Sequence, residues 1–457
     1  MKFAILLGAA SIATILSPLL ARSQSATDMA VLKGLAPVTV LAKPNNYAGQ
    51  AALGANYTVT GGIQTGEIRQ LTLLPFPEQQ QQALRDVFIT GSNLAQLADG
   101  LGTALGSAYL ARAHYIDRQN STQLSQAITD LITYANATTY SNSNTAKYFF
   151  ANATTDGKTP VSEEALAILK NNGGSPDMFG KPYGLPGGSP GADKFGNSRP
   201  FQTEPTLTRI FGRDYLGTPT DNIVYNRGPI MDLTNSPSFP SGHTTYGYMG
   251  SILLAVLVPE RYAEMMTRAA EYGNDRILIG AHYAMDVLGG RTLALYDLAH
   301  LLANDPAYVG QTLPGAPKLP DFREAVIKAR ADVVKALEPA CGNSVAVCAK
   351  QDTGRLSNAA IDEAFYMSTQ TYGLPVVYPK MANAVEDVGK LAPEAGYLLT
   401  VAFPSLTLED ADRILTETEG PGGGFLDDGS TSSPSFGVYS RLNLYAASRR
   451  AAQLSAH

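Results

Sequence analysis

Tryptophan is absent from this chain, cysteine occurs only twice and histidine five times. Histidine chemistry is therefore confined to His114, His243, His282, His300 and His457. Charged residues make up 16% of the chain and the formal net charge is −6; a mildly acidic surface offers no electrostatic footprint for nucleic acid. Past residue 21 the most apolar run is Ile252–Val258, far short of the roughly 20 residues needed to cross a bilayer. Strand-like alternation is scarce, and no period of 20 to 50 residues recurs, which excludes a repeat architecture. Cys341 and Cys348 enclose GNSVAV, with no further cysteine or histidine nearby to complete a zinc site. The spacing suits a local disulfide in an oxidising compartment, with two free thiols as the alternative.

What is present is length: 457 residues, 44% of them hydrophobic, with 43 glycines and 28 prolines. That composition predicts a large core with long structured loops around helices. Lys2, an apolar stretch from Phe3 to Ala21 and small residues around Ala21–Ala26 have the layout of a secretory signal. Residues 1–25 are expected to be removed on export to a periplasmic or extracellular location, with no integral membrane segment afterwards. The expected organisation is then an N-terminal helical region (26–160), a catalytic core (161–315) and a C-terminal helical extension or cap (316–457).

Apolar spacing predicts helices over Pro77–Arg118, broken near Gly91 and Gly100, over Gln123–Ala135, and over Glu163–Lys170 with Ser162 as N-cap. Residues 171–205 are too rich in glycine and proline for regular structure. Helices resume from Thr244 to Pro259, on through Tyr272, and from His282 to Leu302, loosened at Gly289 and Gly290. Others are expected at Asp321–Leu337, Ser357–Tyr372, Pro379–Leu391, Leu408–Thr418 and Ser440–Leu454. The stretch GPGGGFLDDGSTSSPS (420–435) reads as flexible and polar. The fold class is all-α, a helical bundle with long loops.

The chemistry concentrates in SFPSGHTT (238–245) and DRILIGAHYAMD (275–286). His243 follows Pro240, Ser241 and Gly242 at the start of a helix, where free N–H groups and the helix dipole favour anions. His282 and Asp286 are four apart, so the carboxylate can hold one imidazole nitrogen and leave the other as base or nucleophile. Arg276, with Gly280 between it and His282, and Arg199, followed by Pro200, add guanidiniums that bind phosphate oxygens bidentately. Such a set points to phosphoryl transfer. PSGH lacks the G-x-S-x-G elbow of a serine hydrolase.

These residues resemble the phosphatidic-acid-phosphatase type 2 (PAP2) superfamily, especially soluble bacterial class A non-specific acid phosphatases. The family's motifs are a lysine followed after six residues by Arg-Pro, then PSGH, then Ser-Arg, five residues, histidine, three residues and aspartate. PSGH is complete at Pro240–His243, and the third motif is present as Arg276, His282 and Asp286, with Asp275 in place of serine. The first departs from the pattern, with only four residues between Lys194 and Arg199. The resemblance implies a helical bundle of the PAP2 and vanadium haloperoxidase type that hydrolyses soluble phosphate monoesters. His282 would form a phosphohistidine, Asp286 would orient it, and His243 would protonate the leaving group. Lys194, Arg199, Arg276, Ser241 and Gly242 would hold the phosphoryl oxygens. No metal or other cofactor is required. The alternatives are a vanadium-dependent haloperoxidase, which would carry vanadate, and a non-catalytic phosphate-binding protein.

Overall fold

Ser25 opens the first helix. In the computed structural model its hydroxyl accepts from the Asp28 N–H, and the Asp28 carboxylate reaches back to the Ser25 N–H, a reciprocal cap that starts α1 (Ala26–Leu35). The structure describes residues 24–68, 72–118, 120–179, 193–204, 207–228, 231–431 and 434–455. The expected signal segment lies outside them apart from its last two residues, as do His457 and the middle of the glycine- and proline-rich loop. Asn46 caps α2 (Tyr47–Thr65), which ends at Gly66 with φ of +73°, a left-handed position that glycine adopts freely.

The helix expected over Pro77–Arg118 is more broken than its pattern suggests. It divides into α3 (Phe76–Arg85), two 3₁₀ turns, and α4 (Thr103–Leu110), with Gly102 at φ +95° between the last two. Leu84, Val87, Phe88, Leu94, Leu97, Leu101 and Leu105 are nonetheless all buried. Conversely, the helix expected to stop at Ala135 runs on as α5 (Gln126–Asn152), 27 residues long. Its second half is TTYSNSNTAKYFFAN, where short polar residues lower helix propensity. Tertiary burial overrides that: Thr139, Asn142, Ser143, Ala146, Phe149 and Phe150 face inward.

Ser162 caps α6 (Glu163–Asn172) as expected. A single helical turn, α7 (Pro200–Thr203), and a three-residue hairpin of β1 (Phe211–Arg213) and β2 (Pro219–Asp221) follow, then the short α8 (Asn222–Asn226). That hairpin is the only sheet among the described residues, so the fold is all-α.

The centre is formed by α9 (Gly242–Leu257), α10 (Tyr262–Leu278) and α11 (Ala284–Leu302), each buried along nearly its whole length. Gly289 and Gly290 do not loosen α11. A Cβ at Gly290 would lie 2.4 Å from the Ser241 carbonyl oxygen, and one at Gly289 would lie 2.5 Å from the Phe239 ring. The glycines let the SFPSGH segment lie directly on the helix. One buried charge in the bundle is fully paired: Arg268 of α10 forks onto Asp86 at 2.7 and 2.8 Å and reaches Asp99 at 2.6 Å.

The C-terminal third packs onto this centre. It comprises α12 (Phe322–Cys341), α13 (Val345–Lys350), α14 (Ala359–Thr371), α15 (Val388–Leu391), α16 (Tyr397–Thr400), α17 (Leu408–Glu417), α18 (Phe436–Arg441) and α19 (Leu444–Ser455). The helix expected at Pro379–Leu391 shrinks to α15, because residues 379–383 form turns and 384–387 have no regular structure. The one expected at Ser440–Leu454 divides at Leu442 and Asn443. Cys341 and Cys348 form the disulfide that joins α12 to α13. Among the described residues no helix is long and apolar enough to cross a membrane.

The stretch expected to be flexible and polar is packed over its first half. Phe425, Leu426 and Asp427 are buried, Asp427 accepts from the Gly423 N–H at 2.6 Å, and the Phe425 ring meets Phe239 edge-on at 6.4 Å. Arg355 reaches inward to Glu271 of α10 at 2.7 Å. Deleting residues 420–457, which removes the buried Phe425, Phe436, Leu444 and Tyr445, should therefore abolish cooperative unfolding rather than open a lid. Circular dichroism through a thermal ramp checks this, and a folded, fully active truncation would contradict it.

Candidate active site

Asn197 docks two motif segments on each other. It sits at φ +60°, a conformation asparagine tolerates better than most residues. Its side chain accepts from the Phe239 N–H and donates to the Phe239 carbonyl, both at 3.1 Å. The Ser238 N–H donates to the Asn197 carbonyl at 2.8 Å. Four residues on, the Phe201 N–H donates to the carbonyl of Gly280. Arg199 is thus fixed between SFPSGH and the turn after α10.

That turn is made by Gly280 at φ +73°. The N–H groups of Ala281 and His282 both return to the Arg276 carbonyl, which brings His282 back beside the end of α10. His282 lies just before α11 rather than on it. Asp286, in the first turn of α11, accepts from the Tyr283 N–H at 2.8 Å and from the Ser238 hydroxyl. Its carboxylate lies 3.5 Å from His282 Nδ1. From α2, Thr60 and Asn56 accept the N–H groups of Ala284 and Met285, completing the helix start.

Around His282 the geometry assigns a tautomer. Nδ1 faces Asp286 and, at 3.4 Å, the Ser238 hydroxyl, so Nδ1 carries the hydrogen. Nε2 accepts from Arg199 Nη1 at 3.0 Å, leaving its lone pair on the side of the guanidinium and of His243, whose ring centre is 6.0 Å away. Arg199 commits its other donors to the carbonyls of Ser236, Pro237 and Ala281 and to the Ser236 hydroxyl.

His243 stands in the first turn of α9. Ser241 caps that helix, its hydroxyl accepting from the Thr244 N–H at 3.1 Å and from the Thr244 hydroxyl at 2.9 Å. The Ser241 N–H is spent on the Asp286 carbonyl at 3.0 Å. Gly242 and His243 therefore supply the first-turn N–H groups without a helical partner. Arg276 donates Nη2 to the Tyr225 hydroxyl at 3.0 Å, and that hydroxyl lies 3.4 Å from His243 Nε2. Arg276 Nε and Nη1, His243 Nδ1 and Asp286 Oδ1 are buried with no partner among the described residues. The two Arg276 nitrogens are unspent donors, and with the free Gly242 and His243 N–H groups they can cradle a tetrahedral oxyanion, while Asp286 Oδ1 is an unspent acceptor on the carboxylate that faces His282 Nδ1.

Electrostatics follows from burial and from an excess of cations. Burial, then Arg276, Lys147, Arg199 and Arg118, hold the His243 imidazole well below its usual basicity. Burial, then Arg199, His243 and Arg276, do the same to His282. Asp286 is pushed up to about 7 by burial, opposed by the Ser238 hydroxyl, the Tyr283 N–H, Arg199 and Lys147. Arg199 is lowered to about 10, chiefly by burial.

The structure thus brings together His282, His243, Asp286, Arg199, Arg276, Ser241 and Gly242. It does not bring Lys194, which is exposed with its ammonium over the Phe195 ring, 5.6 Å from the centroid. Sequence reasoning missed Ser238, Asn197, Tyr225, Arg118 and Lys147. Ser238 lies within the conspicuous SFPSGHTT and Asn197 between Lys194 and Arg199, but Tyr225, Arg118 and Lys147 come from segments with no motif of their own.

Residues 192–304 match the family model of the PAP2 superfamily. That segment belongs to the PAP2 superfamily. The PAP2 segment is also similar to a non-specific acid phosphatase of Salmonella typhimurium, 33% identical over 101 residues, which is 22% of this chain and 34% of that protein. An acid phosphatase of Zymomonas mobilis is 35% identical over 82 residues, 18% of this chain and 31% of that protein. A non-specific acid phosphatase of Providencia stuartii is 28% identical over 103 residues, 22% of this chain and 36% of that protein. The chain thus spans about a third of the length of these relatives.

If the cation field governs the imidazoles of the PAP2 segment, Arg276→Gln should move the His243 pKa upward, because one charge opposing the imidazolium is gone. Titration of the ring nitrogens by NMR measures this. An unmoved or falling pKa would count against the assignment.

Proposed function

We propose that this protein is a phosphatase that hydrolyses soluble phosphate monoesters through a phosphohistidine on His282. The observation that carries the reading is the His282 tautomer: Asp286 and Ser238 hold Nδ1, and Nε2 keeps its lone pair beside unspent phosphate-type donors. The similarity of the PAP2 segment to proteins named acid phosphatases supports it.

In the first step His282 Nε2 attacks phosphorus, the bond from phosphorus to the leaving oxygen breaks, and that oxygen takes a proton from His243. Arg199 Nη1–H moves from Nε2 to a phosphoryl oxygen as the lone pair is used. Asp286 balances the positive charge that forms on the imidazole. In the second step neutral His243 removes a proton from water, the water oxygen attacks phosphorus, and the N–P bond breaks to release inorganic phosphate. Arg276 and the Gly242 and His243 N–H groups stabilise the equatorial oxygens throughout. No metal or other cofactor enters this scheme. The Phe3–Ala21 stretch and the Cys341–Cys348 disulfide support export to an oxidising compartment.

His282→Ala should abolish turnover and acid-labile labelling by a radioactive phosphate ester. His243→Ala should lower turnover by about 10² to 10⁴-fold while leaving His282 in place. Retained activity in both variants would sink the scheme. Oxidation of halide by peroxide and vanadate without ester hydrolysis would favour a haloperoxidase.

The pH profile carries a second expectation. His243 must start protonated, and burial with four cations depresses its basicity in the free protein, so kcat/KM should fall as pH rises from the acidic range. A bound phosphoryl anion offsets those cations and favours the imidazolium, so the alkaline limb of kcat should lie at higher pH than that of kcat/KM. Coincident limbs would show that substrate charge does not reach His243.

A further inference from the structure

The exposed position of Lys194 leaves the family's lysine role without an occupant from the expected loop. Another lysine lies at the site. Lys147 comes from α5, in the polar half of the helix that the sequence pattern conceals. Its side chain and that of Ser143 are one helical turn apart and so share a face. Both converge on Gly242: a Cβ there would lie 3.0 Å from Lys147 Nζ and 3.3 Å from Ser143 Oγ. Gly242 is the first residue of α9, where the unspent N–H groups stand. Ser143 Oγ is itself buried without a hydrogen-bond partner among the described residues.

The approach of α5 to α9 is fixed by contacts on both sides of this point. Tyr140 and Tyr246 stack at 6.4 Å between centroids, and Asn142 donates to Asp297 of α11 at 2.8 Å. Phe150, further along α5, meets Phe239 edge-on at 5.8 Å. The lysine stem is therefore held while its head faces the α9 start.

We propose that Lys147, with Ser143 beside it, binds the phosphoryl oxygens at the Gly242 end of the cradle and supplies the ammonium that Lys194 does not. This rests on the reading of the site as a phosphate pocket. The groups that face Lys147 electrostatically fit the role. Burial and the Arg199 charge draw its pKa down to about 7, opposed by Asp286, while its own charge acts on His243, His282 and Asp286. An ammonium held among like charges gains most from an anion placed between them.

The test uses the full-length protein with inorganic phosphate as ligand, read by calorimetry and by the rise in unfolding temperature that phosphate produces, with ester hydrolysis measured in parallel. Lys147→Met keeps the stem and removes the charge. It should weaken phosphate binding by about tenfold to a hundredfold, the loss expected for one charge-assisted hydrogen bond, and shrink the thermal shift. Lys147→Gln, which restores a donor without charge, should fall between it and the wild type. Lys194→Met should change the affinity by less than about twofold.

Tight phosphate binding in Lys147→Met, or a tenfold loss in Lys194→Met alone, would overturn the proposal while leaving the phosphatase reading standing. A wild-type protein that binds phosphate but cleaves no ester would remove the catalytic reading, with the role of Lys147 still decided by the affinities. Absence of phosphate binding by the wild type would overturn both.

Discussion

The first turn of α9 rests on the first turn of α11 with almost nothing between them, and the rest of the site depends on that contact. The Ser241 N–H is bonded to the Asp286 carbonyl, while Gly290 leaves its Cβ position to the Ser241 carbonyl. Asp286 therefore serves both helices at once, through its backbone to α9 and through its carboxylate to His282. A shift of either helix start would alter the separation of the two histidines and the aim of the imidazole together. Close packing resists such a shift, since interiors at this density have no slack for small displacements.

Around this contact the site accumulates positive charge in a buried volume, and a single carboxylate faces His282. Arg118, Lys147, Arg199 and Arg276 all act on His243, whereas Asp286 is the acid within reach of His282. At the α10 network the balance is the opposite: Arg268 and Arg355 are matched by Asp86, Asp99 and Glu271. Unbalanced buried charge is expensive unless a partner arrives. The contrast separates a charge-matched network from the one to which the proposed phosphate binding is assigned.

Much of this was legible in the chain. The helical character, the Ser162 cap, the disulfide and the His282–Asp286 pairing follow from local pattern and spacing, while the gathering of Arg199, His243 and Arg276 around them was what the family resemblance implied. The failures have physical reasons. α5 outruns its predicted end because Thr139, Asn142 and Ser143 are buried by neighbouring helices, an effect invisible to apolar periodicity. Gly289 and Gly290 read as breaks because sequence shows their flexibility and not the close approach they permit. GPGGGFLDD reads as a polar tail because Phe425 finds Phe239 only in three dimensions. Lys147 and Tyr225 reach the site from segments that carry no motif.

Arg199 shows how the fold and the chemistry constrain each other. Its five donors are all engaged, four of them with the backbone or hydroxyl groups of residues 236, 237 and 281 and one with His282 Nε2. The four fixed bonds hold the guanidinium rigid, so the cost of orienting it is met on folding rather than on binding. In the proposed phosphohistidine scheme the fifth is the exchangeable one, since it occupies the lone pair that would attack phosphorus. A guanidinium with fewer anchors would bind an oxyanion in more ways, and one with a fifth backbone partner would have no donor left to offer. Under that scheme the same N–H, once released by Nε2, stands beside the new N–P bond and can donate to a phosphoryl oxygen.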